Sequence, residues 1–166
     1  TKKELGYGEE GEFCIKGPTN MQGYYKNIEE TNKVIQDGYL YTGDLGYLDK
    51  KGRLHYTQRL KRLIVSSGYN IYPSQIEAVI KKHNLVENCI VVGVPHPYKV
   101  NVPKAYVVIK KGYETQKIKL KKELDDLCKV NLLKMSIPKE IEFISELPKT
   151  NMGKVCLLYT SPSPRD

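Results

Sequence analysis

Beyond Arg59 the apolar residues change period repeatedly, and that alternation limits the available folds more than any other feature. Leu63-Ile64-Val65 is a compact apolar run, short enough for a strand. Pro73 and Ser74 then open a helix in which Ile76, Val79, Ile80 and His83 fall on one stripe, and Ser74 and Glu77 have capping-box spacing. Residues 86–94 and 105–109 read as strands. Leu120, Leu124 and Leu127 mark a second amphipathic helix with Lys117, Lys119, Lys121 and Lys122 on its solvated sides. Residues 140–144 alternate as a last strand. The order β, α, β, β, α, β predicts a compact α+β unit.

The first third is different, rich in Gly, Tyr and turn chemistry. Residues 11–16 alternate as a strand that Gly17-Pro18-Thr19-Asn20 stops. Asn27 followed by Glu29-Glu30 reads as an N-cap, predicting a helix to about Gln36, ended by Asp37-Gly38. Residues 39–42 and 45–48 suggest two short strands, and Asp49-Lys50-Lys51-Gly52 turns the chain into a hairpin with residues 53–57. This is β-rich material with no large core of its own.

Charge divides the chain at the same place. Residues 1–58 carry eight basic and nine acidic side chains, and residues 59–166 carry nineteen and ten. Such asymmetry suggests two physical units and a polyanionic partner for the second. Nothing approaches the roughly 18 consecutive apolar residues of a membrane span, and the start has no secretory h-region. Cys14, Cys89, Cys128 and Cys156 form no CxxC pair, which argues against a zinc site or disulfide scaffold and fits a reducing, cytoplasmic setting.

Four segments could carry chemistry. Tyr41-Thr42-Gly43-Asp44 holds an acid in a Gly-containing bend, suited to a ribose cis-diol or, more plainly, to its own turn backbone. Arg59, Lys61 and Arg62 could clamp a phosphate or ribose, or form a solvated linker. Residues 66–73 (SSGYNIYP) allow close approach of a ligand to the backbone, or are a strand-to-helix loop. Lys154, after Gly153, could offset phosphoryl charge, although the first Gly and final Ser/Thr of a Walker A loop are absent.

Singly these signals are weak, but their order and spacing together are specific. Over about residues 6–155 the chain resembles the carboxy-terminal part of the adenylate-forming superfamily, which includes acyl-CoA synthetases, luciferases and peptide-synthetase adenylation domains. The resemblance rests on GEFCIKGPTNMQGYY at 11–25, DGYLYTGDLGYLD at 37–49, RLKRLIVSSGYNIYPSQIEAVI at 59–80, VVGVPHP at 91–97 and LPKTNMGKV at 147–155.

The resemblance implies an enzyme that joins a carboxylic acid, possibly fatty, to AMP from ATP and passes the acyl group to CoA. Asp44 matches the acid that holds the ribose hydroxyls, and Arg59 the Arg that contacts the nucleotide. Lys61 matches the hinge position, Ser67 and Gly68 the loop lining the pantetheine tunnel, and Lys154 the Lys that enters the site during adenylation. Residues 1–58 would end the large domain, 59–61 form the hinge and 62–155 the small mobile domain. The phosphate loop, the acyl pocket and the Mg²⁺ ligands are expected in a missing N-terminal large domain, so the fragment alone is expected to be inactive. Departures include Gln58, Arg62 where an acid is common, Val65, and Asn101-Val102 after the VPHP segment. Residues 156–166 (CLLYTSPSPRD) look like adapter read-through. Two alternatives stand beside this reading: an adenylation domain loading a carrier protein, and a non-catalytic basic module gripping nucleic acid. The latter has charge alone in its favour and no RNP, KH or helix-turn-helix signature, so no nucleic-acid partner is expected.

Overall fold

The computed structural model describes residues 3–148. The chain divides into two compact units between Lys61 and Arg62.

In the first unit Gly11–Ile15 forms β1, Ile28–Val34 forms α1, Ile35–Gln36 forms β2, Tyr39–Leu48 forms β3 and Leu54–Arg59 forms β4. All pairings are antiparallel, and β3 is the centre of the sheet. β1 lies along one edge of β3, while β2 and then β4 share the other. Asn27 caps α1 as expected, its side chain accepting from Glu30 N at 3.1 Å. The helix stops at Val34, two residues short of Gln36, because Ile35 and Gln36 pair with Leu40 and Tyr39. Asp37 (φ 53°) and Gly38 (φ 78°) are both left-handed and close that hairpin, the twist that two-residue hairpins favour. The two short strands expected at 39–42 and 45–48 are one strand with an irregularity at Thr42-Gly43-Asp44.

In the second unit β5 is Ile64–Ser66, β6 Tyr69–Ile71, α2 Pro73–Ile80, β7 Val86–His96, β8 Val100–Ile109, α3 Lys117–Asn131 and β9 Glu140–Ile144. β7 runs antiparallel along one edge of β8. The other edge takes β5 at Val100 and then β9, which is parallel. The α+β class expected from the sequence is therefore present, with one more strand than foreseen. Residues 66–70, expected as a loop into the helix, are the end of β5, a Ser67-Gly68 turn and the start of β6.

The period changes have the expected cause. Ile76, Val79 and Ile80 of α2 and Leu120, Leu124 and Cys128 of α3 are buried against Val91, Ala105 and Val107 of the sheet. Ile90, Val92 and Val108 point to the opposite face and gather Leu147 into a smaller cluster. Two apolar faces explain why β7 and β8 read as nearly continuous hydrophobic runs. Removing one fully buried side chain, as in Leu124→Ala, would cost about 3 kcal/mol. The capping box at Ser74 and Glu77 does not form: Tyr72 is the N-cap, without a side-chain cap bond. Glu77 is used elsewhere.

Candidate functional site

Asp44 sits where β3 leaves its regular register. Glu12 pairs with Leu45 and Cys14 with Tyr41, so Thr42, Gly43 and Asp44 face the single residue Phe13. A second irregularity lies on the other side, where Leu45 pairs with Gln58 and Gly46 with Tyr56. Bulges of this kind re-aim side chains out of the pleat. Gly43 has φ 72°, a conformation that side chains rarely adopt.

The bulge is tied down from three directions. Thr42 Oγ1 donates to Phe13 O at 2.8 Å and accepts from Asp44 N at 3.1 Å. Gly43 N donates to Glu12 Oε1 at 2.8 Å. Arg59, the register partner of Asp44 across β3 and β4, places Nε 2.9 Å from Asp44 Oδ1 and donates from Nη1 to Thr42 O at 3.0 Å. The Asp44 side chain is 29% exposed and that of Arg59 58%, so an incoming molecule can reach both. A carboxylate beside a planar guanidinium offers paired acceptors and a fork of donors, which suits hydroxyls next to phosphate.

The second unit holds its own site. Ser67 (φ 48°) and Gly68 (φ 81°) form the two-residue turn between β5 and β6. Ser67 N donates to Lys99 O at 3.2 Å, joining this turn to the one between β7 and β8. A cavity of about 130 Å³ lies here, lined by Ser66, Ser67, Tyr69, Lys99, Lys134 and Lys139 among others. Three lysines lining so small a volume favour an anion.

The structure thus brings Asp44 and Arg59 into contact and puts Ser67 and Gly68 in one turn. Lys61 lies in the short 3₁₀ turn Leu60–Arg62, at the boundary between the units. Lys154 lies outside the described residues. Glu12 and Thr42 escape a reading of sequence alone, because Glu12 is 31 residues from the amide it binds. Lys99, Lys134 and Lys139 were hidden among many other lysines. Among the described residues no group of three or more His, Cys, Asp or Glu is placed to hold a metal ion, and no helix is long and apolar enough to cross a membrane.

Residues 75–154 match the family model described as the AMP-binding enzyme C-terminal domain. Over 147 residues the chain is 42% identical to a long-chain-fatty-acid–CoA ligase of Bacillus subtilis, covering 89% of this chain and 26% of that protein. It is 40% identical over 152 residues to a 2-succinylbenzoate–CoA ligase of Listeria innocua, covering 92% and 31%. Among solved structures it is similar to the amide bond synthetase McbA of Marinactinospora thermotolerans, with a TM-score of 0.82, 33% identity and coverage of 95% and 32%. The chain therefore spans about a quarter to a third of the length of these relatives. On the family match and on these similarities, the chain belongs to the adenylate-forming, AMP-binding enzyme family.

Proposed function

We propose that this chain is part of an ATP-dependent acyl-CoA ligase. In that enzyme a carboxylate oxygen attacks the α-phosphorus of ATP, pyrophosphate leaves, and CoA sulfur then displaces AMP from the acyl carbon. The observation that carries the proposal is the Asp44–Arg59 pair on its bulge, 2.9 Å apart and open to solvent. Asp44 accepts from the ribose hydroxyls and Arg59 donates to the nucleotide. Lys154 offsets charge on the attacking carboxylate and α-phosphate. Mg²⁺ accompanies ATP on residues outside this chain.

Adenylation and thioester formation need different groups at one acyl carbon, and a small domain turning about a hinge can supply them in sequence. In this reading residues 1–58 complete the large domain, Lys61 is the hinge and residues 62–155 move. Ser67 and Gly68 line the path of pantetheine.

Two acceptors compete. Similarity to an amide bond synthetase suggests an amine. The cavity lined by Lys99, Lys134 and Lys139 favours CoA, because a polyphosphate gains from three cations and a neutral amine does not. The acid is not set by this segment, since relatives at 42% and 40% identity differ in the acid they are named for.

The test is made on the complete enzyme by separate assays of the two half-reactions. Lys154→Ala should abolish pyrophosphate release while sparing thioester formation from supplied acyl-AMP. Equal loss of both steps would overturn its role. Residues 1–166 alone should form no acyl-CoA, and acyl-CoA formation by that piece would overturn the division of labour.

A further inference from the structure

We propose that Glu12 is the positioning residue of the nucleotide site, acting through the bulge that carries Asp44. The inference rests on the reading of Asp44 as the ribose acceptor. Three residues opposite one leave β3 without regular ladder partners on its β1 side at Thr42, Gly43 and Asp44. Backbone groups in that position need other partners or water, and a loop that finds only water moves.

Here the Thr42 carbonyl and the Gly43 and Asp44 amides are each tied by a side chain. Thr42 closes the bulge on itself, receiving the Asp44 amide at 3.1 Å and donating to Phe13 O at 2.8 Å. Arg59 binds Thr42 O at 3.0 Å, but the same guanidinium is the group expected to engage the nucleotide. Glu12 holds the bulge from the neighbouring strand with a side chain that is not assigned to the nucleotide: Oε1 accepts the Gly43 amide at 2.8 Å. Its backbone is fixed by pairing with Leu45, the residue after Asp44. The carboxylate therefore fixes the Gly43 peptide, and the Gly43 peptide aims Asp44. A charge-assisted bond of this kind is among the stronger ones available to a backbone amide.

Glu12→Ala removes the tether, and Glu12→Gln retains an acceptor oxygen at the same reach. In the complete enzyme, Glu12→Ala should raise KM for ATP about tenfold with a smaller change in kcat, and Glu12→Gln should recover most of that loss. The discriminating measurement compares ATP with 2′-deoxy-ATP. The parent enzyme should prefer ATP, Asp44→Asn should erase the preference, and Glu12→Ala should shrink it. Combining Glu12→Ala with Asp44→Asn should do no more than Asp44→Asn alone, because one acts through the other.

An unchanged preference in Asp44→Asn would overturn the nucleotide reading itself. A lost preference in Asp44→Asn with full preference in both Glu12 variants would overturn the positioning role only. Additive losses in the double variant would also overturn it. Should Glu12→Ala fail to fold, amide exchange at Gly43 in Glu12→Gln takes its place, and exchange as slow as in the parent with a collapsed preference would count against the proposal.

Discussion

Glu77 gives its carboxylate to a strand instead of to its own helix: Oε1 accepts the Val91 amide of β7 at 2.9 Å and also pairs with Arg62. One side chain on α2 thereby joins the first residue of the second unit to the middle of the edge strand β7. A cation at residue 62 suits that carboxylate, whereas an acid there would face Glu77.

Glu77→Ala should destabilise the second unit by about 2–3 kcal/mol, because the largely buried Arg62 and the Val91 amide both lose their acceptor. Glu77→Gln, which keeps an acceptor, should cost less. Urea unfolding of the two variants beside the parent measures the difference, and equal losses would show that the hydrogen bond geometry matters little.

Gly46 should tolerate no side chain. A Cβ there would overlap both the His55 carbonyl oxygen and the Phe13 ring, and the backbone oxygen cannot move without opening the β3–β4 pairing. Gly46→Ala is expected to cost about 3 kcal/mol in the first unit. Gly43→Ala meets only the Arg59 Nη1 at 3.7 Å, so its cost should be the smaller one of left-handed backbone, about 1 kcal/mol. Thermal unfolding followed at the first unit separates the two.

Acid should weaken the β3–β4 hairpin. The hydrogen bond from His55, then those from Arg53 and the Lys51 backbone, hold the Asp49 carboxyl well below the usual carboxylate range. A depressed folded pKa means that the stabilisation is complete above the unfolded value of about 4 and fades as pH falls from there toward the lower folded value. The melting temperature should therefore fall between about pH 5 and about pH 2, and Asp49→Asn should fall less over the same range. Parallel curves for the two proteins would remove Asp49 as the cause.

The three cysteines among the described residues should label in two classes. Cys14 is exposed, whereas Cys89 and Cys128 are buried. Burial pushes the Cys89 thiol up to about 12 and the Cys128 thiol up to about 11. In the native chain a thiolate-selective reagent should modify Cys14 and leave Cys89 and Cys128 until denaturant is added. Labelling of Cys89 at the same rate as Cys14 would mean that the core opens readily.

Much of the second unit was legible because its signals are local. The stripe of Ile76, Val79 and Ile80 and that of Leu120 and Leu124 mark helices through their own spacing, and both face the sheet. The Ser67-Gly68 hairpin had a signal too, a two-residue small-Gly turn between short apolar runs, but a three-residue strand is too brief to stand out from a loop. Ser74 and Glu77 had the right spacing for a capping box, and the box was absent. Local spacing states which bonds a side chain can make; a competing donor from elsewhere decides which it does make.

The five ordered motifs together pointed by themselves to the family, and through that resemblance singled out Asp44 and Arg59, the pair proposed to meet the nucleotide. Tertiary structure alone decided how those residues are held. The bulge exists only in the mismatch between β1 and β3, Glu12 reaches Gly43 across 31 residues, and Glu77 finds Val91 on another element. Periodicity records which face of an element is buried, a property of neighbours in sequence. Hydrogen-bond partners at a register shift depend on two strands at once, and no single stretch of sequence holds that information.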